Sequence, residues 1–122
     1  MPREKKSVVV LVEDDISMSR AIDRLLRAAT FQAVTFNSAE ALLETNAVTD
    51  AACLILDIYL PGLSGFELHR RLEELGAKPP VIFITAHDTS SAREHAREIG
   101  EYLVKPFPGK SLVEAVKRAF DQ

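Results

Sequence analysis

The sequence has 122 residues, 47% of them apolar and 27% charged, with only five glycines and six prolines; this suits one compact domain over residues 1–122, leaves no room for a second core and excludes a disordered chain. Fifteen basic and eighteen acidic side chains give a formal charge of −3, so no basic field is present to bind nucleic acid or an anionic membrane, and the Lys5-Lys6 pair reads as a solvated tail. One cysteine, Cys53, excludes an intramolecular disulfide and a cysteine metal cluster; the apolar run Val8 to Val12 is far too short to span a bilayer, and a reduced, cytoplasmic setting is expected.

Val8–Val12 reads as a buried first strand. Ser17 to Ala29 follows as a helix with Met18, Ile22, Leu25, Leu26 and Ala29 on one face and Arg20, Asp23, Arg24 and Arg27 on the other. Gln32–Phe36 is the second strand, and Ser38 caps a short helix over Ala39–Glu44. Cys53–Leu56 forms the third strand. Ser64 and Glu67 then make a capping box for a helix carrying Leu68, Leu72 and Leu75, which Gly76 ends before Pro79-Pro80.

Val81–Ile84 is the fourth strand. The fourth helix, with Ser91 and Glu94 as its expected cap, has only Ala92, Ala96 and Ile99 to bury and is expected to be the most mobile. Tyr102–Val104 makes a fifth strand, and Lys110 to Phe120 a last helix docked by Leu112, Val113, Val116, Ala119 and Phe120. Branched apolar runs alternating with helical patterns predict an α/β fold with a parallel sheet covered on both faces.

Ligands of such sheets bind at the carboxyl ends of the strands, so the polar residues there matter most. Glu13, Asp14 and Asp15 follow the first strand, Asp57 the third, Thr85 the fourth and Lys105 the fifth. Each alone has an ordinary reading, the acids as helix caps and Asp57 as a turn residue; their coincidence at four strand ends does not. Clustered carboxylates are electrostatically unfavourable unless a cation joins them, and Mg²⁺ suits a site of few carboxylates that leaves room for phosphate oxygens, with Mn²⁺ as an alternative. A carboxylate can attack phosphorus to give an aspartyl phosphate, with an ammonium and a hydroxyl ready to receive the phosphoryl oxygens.

Four segments carry a resemblance to a known family: Val10-Leu11-Val12-Glu13-Asp14-Asp15, Asp57-Ile58-Tyr59-Leu60-Pro61-Gly62-Leu63-Ser64-Gly65, Thr85-Ala86, and Tyr102-Leu103-Val104-Lys105-Pro106-Phe107. Over nearly its whole length the chain resembles the receiver domains of bacterial response regulators, of the CheY-like superfamily. The resemblance implies a flavodoxin-like (βα)5 three-layer sandwich with strand order 2-1-3-4-5. It implies phosphorylation of Asp57, with Mg²⁺ held by Asp14, Asp57 and the Tyr59 backbone carbonyl, and with Glu13 acting through a bound water. Lys105 would pair with Asp57 and then with the phosphoryl group, Thr85 would hydrogen-bond a phosphoryl oxygen, and Asp15 would stand outside the metal shell. Thr85 and Tyr102 would form the switch, and Pro106 would follow a cis peptide bond.

The implied partners are a sensor histidine kinase or phosphotransfer protein and a downstream effector domain or protein, with homodimerisation through the fourth helix, fifth strand and fifth helix as one route. The implied chemistry is self-phosphorylation and slow autodephosphorylation, not turnover as an enzyme. With no effector domain after Phe120, the chain is expected to be a stand-alone regulator or the N-terminal part of a longer one. The stretch from Thr85 to Lys105 is slightly shorter than is usual in the family, the loss falling in or after the fourth helix. Tyr59 and His87 stand two residues past Asp57 and Thr85; the resemblance implies that these positions lie beside the attacking water, where the two residues are expected to tune the lifetime of the phosphorylated state.

Two other functions compete. A metal-dependent phosphohydrolase would need a second acid two residues after Asp57, where Tyr59 stands. A receiver fold working as an interaction module without phosphorylation would not need the complete residue set. Gly109-Lys110-Ser111 looks like the end of a phosphate-binding loop, but Val104 occupies the place of its first glycine. His69 and His95 are expected on the surface, His87 beside the site and Cys53 in the core.

Overall fold

The computed structural model describes residues 8–121; Lys5 and Lys6 lie outside them. Five strands, β1 (Val8–Val12), β2 (Gln32–Phe36), β3 (Ala51–Asp57), β4 (Val81–Thr85) and β5 (Glu101–Val104), alternate with five helices, α1 (Ile16–Ala28), α2 (Ala39–Leu43), α3 (Gly65–Glu74), α4 (Ser90–Ile99) and α5 (Gly109–Phe120). All neighbouring strands pair in parallel, in the order β2-β1-β3-β4-β5, as expected for the flavodoxin-like sandwich.

The side-chain period of two divides the strands between two cores. Val9, Leu11, Ile55, Ile82 and Ile84 pack with Ile22 and Leu26 of α1 and Leu112 and Val116 of α5. The alternate residues Val10, Val12, Leu54, Leu56 and Phe83 pack on the other face with Leu42 of α2, Leu68 and Leu72 of α3, and Ala92 and Ala96 of α4. Both faces of β1, β3 and β4 are dry, so their unbroken apolar runs are what the sheet requires.

Several boundaries differ from the sequence expectation. Helix α1 starts one residue early because Asp15 is its cap, accepting from the Met18 amide at 3.0 Å. A 3₁₀ turn at Ala47–Asp50 leads into β3, which begins at Ala51 rather than Cys53. Helix α3 ends at Glu74, so Leu75 becomes its C-cap and stays 74% exposed instead of joining the apolar stripe. Helix α4 is capped by Thr89, whose hydroxyl accepts from the Ala92 amide at 3.1 Å, and not by Ser91 with Glu94. The link from α4 to β5 is the single residue Gly100, where a Cβ would lie 2.1 Å from the Val81 carbonyl oxygen. The helix thus enters the strand with no loop between them.

Candidate functional site

The strand ends converge on one polar cluster. Glu13, Asp57 and Thr85 are the buried polar side chains of the described residues, whereas Asp14 faces solvent. Parallel register brings the ends of β1, β3 and β4 side by side, and Lys105 follows β5, its backbone amide donating to the Thr85 carbonyl at 2.8 Å. The Lys105–Pro106 peptide is cis, as expected.

Lys105 is the hub. Its Nζ lies 2.5 Å from Glu13 Oε1 and 3.0 Å from Asp57 Oδ2, one ammonium serving two carboxylates. The other carboxylate oxygens bond to backbone: Asp57 Oδ1 accepts from the Tyr59 amide at 3.1 Å, and Glu13 Oε2 from the Asp15 amide at 3.1 Å. Burial pushes the Glu13 carboxyl up to about 7, with the neighbouring Asp57 adding to the rise and Lys105 opposing it. Burial also disfavours the charged form of Lys105, but its hydrogen bonds to Glu13 and Asp57 and their charges outweigh it, and the net shift is upward.

Glu13, Asp14 and Asp57 each offer an oxygen within 4.8 Å of the others, a hard, all-oxygen donor set. With two of these acids buried and one lysine between them, the set fits a small divalent cation that dehydrates reluctantly and keeps part of its water shell. The floor beneath is rigid: Gly65, the first residue of α3, packs so closely that a Cβ there would lie 2.4 Å from the Asp57 carbonyl oxygen.

Thr85 is fully buried, and its hydroxyl is engaged with the following loop: Oγ1 accepts from the His87 amide at 2.9 Å and donates to the His87 carbonyl at 3.3 Å. Tyr59, 48% exposed, meets the His87 ring edge-on with centroids 5.4 Å apart, so these two rings stand together at the mouth of the site. Tyr102 extends toward the same loop, its hydroxyl donating to Asp88 Oδ1 at 2.8 Å. Asp15 is occupied in capping α1.

The remaining residues singled out in the sequence lie elsewhere. Cys53 is buried, and burial pushes its thiol up to about 12, with Glu101 adding to the effect. His95 is exposed, with its ring edge-on to Phe66. His69 departs from the expectation of a surface residue: its side chain is only 12% exposed, lies against the Phe83 ring, and burial lowers its imidazole below the ordinary range. Gly109-Lys110-Ser111 opens α5 and not a phosphate-binding loop. Asp88, which holds Tyr102, escaped the sequence reading because nothing in the spacing of residues 88 and 102 marks a pair. Among the described residues no helix is long and apolar enough to cross a membrane.

The family model for the response regulator receiver domain matches residues 9–117. Nodulation protein W of Bradyrhizobium diazoefficiens is 38% identical over 119 residues, covering 96% of this chain and 52% of that protein. The response regulator protein TmoT of Ectopseudomonas mendocina is 33% identical over 95% of this chain and 54% of its own; the chain thus spans about half the length of the curated relatives it matches. The response regulator receiver protein from Burkholderia phymatum superposes with a TM-score of 0.80 at 41% identity, covering 95% of this chain and 96% of that one. Strand order, the acidic cluster beside Lys105 and a family match over most of the sequence agree, and the chain belongs to the response regulator receiver domains.

Proposed function

We propose that Asp57 accepts a phosphoryl group from the phosphohistidine of a sensor kinase or phosphotransfer protein, and that the modified domain then acts on an effector domain or protein. The observation that carries this reading is the Asp57 carboxylate itself: buried at the end of β3, bonded to Lys105 at 3.0 Å, and within 4.8 Å of oxygens on Glu13 and Asp14. In the transfer, an Asp57 carboxylate oxygen forms a bond to phosphorus while the phosphorus–nitrogen bond breaks and its electron pair leaves with the imidazole. Asp14, Asp57 and the Tyr59 carbonyl would hold Mg²⁺, with Glu13 reaching it through a water. When bound, that ion supplies positive charge to the phosphoryl oxygens.

The chain's own residues do the rest. The Tyr59 amide and the Lys105 ammonium orient the carboxylate before reaction, so little reorganisation accompanies the transfer. As the phosphoryl group arrives, Lys105 passes from the carboxylate to a phosphoryl oxygen, and Thr85 turns its hydroxyl from His87 to another.

The test is direct. Incubation with Mg²⁺ and acetyl phosphate adds a single phosphoryl group by intact mass, and Asp57→Asn abolishes the addition. A folded protein that takes up no phosphoryl group would favour the phosphorylation-independent module instead, and sustained turnover of phosphate esters the phosphohydrolase.

A further inference from the structure

We propose that Asp88 is a latch: its carboxylate ties the hydroxyl of the half-buried Tyr102 to the β4–α4 loop in the unmodified protein and thereby sets how often the domain visits its other conformer. The proposal rests on the phosphorylation reading only for the event that releases the latch, since the latch is a property of the unmodified chain.

Asp88 Oδ1 is shared. It accepts from the Tyr102 hydroxyl at 2.8 Å and from Arg93 Nη2 at 2.9 Å, with Arg93 Nε at 3.3 Å. The hydrogen bond from Tyr102 and then that from Arg93 hold the Asp88 carboxyl below its ordinary range, so the acceptor is ionised at neutral pH. A phenol donating to a carboxylate makes a charge-assisted bond, stronger than one between neutral groups. Arg93 lies in the first half of α4 and Tyr102 on β5, so this one side chain ties the β4–α4 loop, the helix and the strand together.

The loop is also where Thr85 is fastened. Its hydroxyl both donates to and accepts from His87, the residue before Asp88. The two switch residues are thus bonded to adjacent positions of one short segment, 86–88. For Thr85 to donate to a phosphoryl oxygen its hydroxyl must give up the bond it donates to the His87 carbonyl, and moving the side chain also strains the bond it accepts from the His87 amide; the segment's hold on the sheet loosens, and the Asp88 carboxylate is drawn away from Tyr102. The Asp88 bond thereby biases the equilibrium between conformers, a population shift rather than a push.

Removing Asp88 releases the ring without any phosphorylation. Two tyrosines are present, Tyr59 and Tyr102, so fluorotyrosine labelling gives two ring signals, assigned by Tyr59→Phe. In unphosphorylated Asp88→Ala, the fraction of Tyr102 protected from a soluble paramagnet rises about 2- to 5-fold, the range set by the net worth of a solvent-exposed charged pair. The initial rate of Asp57 labelling by acetyl phosphate and Mg²⁺ rises in the same proportion. Asp88→Asn, which keeps an acceptor oxygen but loses its charge, falls between wild type and Asp88→Ala, and Asp88→Ala adds nothing in a Tyr102→Phe background. If Asp88→Ala fails to fold by circular dichroism, Tyr102→Phe alone must accelerate labelling to the same degree.

Unchanged ring protection with unchanged labelling at Asp57 overturns the latch and leaves the phosphorylation reading standing. No labelling in any variant overturns that reading, while the ring signal of the unphosphorylated protein still decides the latch.

Discussion

Two polar networks stand a few residues apart at the same end of the sheet and are built on opposite physical terms. Glu13, Asp57 and Lys105 are withdrawn from water, with side-chain exposures of 1%, 8% and 13%. Asp88 and Arg93 keep 39% and 36% of theirs. A charge in the first network has no solvent to replace a lost partner, so removing one member leaves the others unpaid for in energy. In the second, water takes over a vacated hydrogen bond, and such surface pairs contribute little to stability. The lesson is a division of labour: the dry network suits a role that must be present or absent, the wet one a role that is graded.

The sharpest way to break that comparison is Lys105→Met. It leaves two buried carboxylates without their shared cation, and at neutral pH with chelator the unfolding free energy should fall by about 2 to 3 kcal/mol, read by urea denaturation. Labelling of Asp57 by acetyl phosphate should slow by about 100-fold, the usual loss when one donor to a developing anion is removed. Equal stability would show that the three charges do not hold one another as a buried set.

Gly65→Ala probes the floor instead of the charges. Its Cβ would lie 2.4 Å from the Asp57 carbonyl oxygen, a backbone atom that cannot step aside like a flexible side chain. A loss of about 1 to 3 kcal/mol is expected, with slower labelling because the acceptor moves with its backbone. Labelling at the wild-type rate in a destabilised protein would mean the carboxylate position is not set by α3. The smallest effect concerns the mouth. Tyr59→Asn opens the ring pair with His87 and should hasten hydrolysis of the phosphorylated form several-fold, with no change in stability; an unaltered hydrolysis rate sinks the idea that these rings screen the site from water.

Much of this was legible in the chain because burial on both faces of a parallel sheet leaves a plain mark. The runs Val8–Val12 and Val81–Ile84 could be placed by composition alone, and whatever polar residue ended each run had to sit at the site end. Glu13, Asp57, Thr85 and Lys105 were found that way, with the family resemblance adding roles that spacing could not assign. What was not legible depended on choices among near-equal local options. Asp88-Thr89-Ser90-Ser91 offers several capping side chains in a row, and only the packing of Ala92 and Ala96 against the sheet selects Thr89. His69 lacks the paired spacing of a metal site and reads as a surface residue, yet its place beside Leu68 and Leu72 turns the ring toward Phe83. The bond between Asp88 and Tyr102 depends on two side-chain rotamers and a strand register, none of which a linear pattern records.

The single-residue link at Gly100 has a mechanical consequence. A loop of several residues would act as slack chain, taking up a rotation of α4 before any of it reached the sheet. Here the helix stops at Ile99, the strand starts at Glu101, and the residue between them is wedged against the Val81 carbonyl. Helix and strand are expected to turn together, like the arms of a crank. A rotation of α4 should therefore be felt at the strand that carries Tyr102, because no slack chain separates the two.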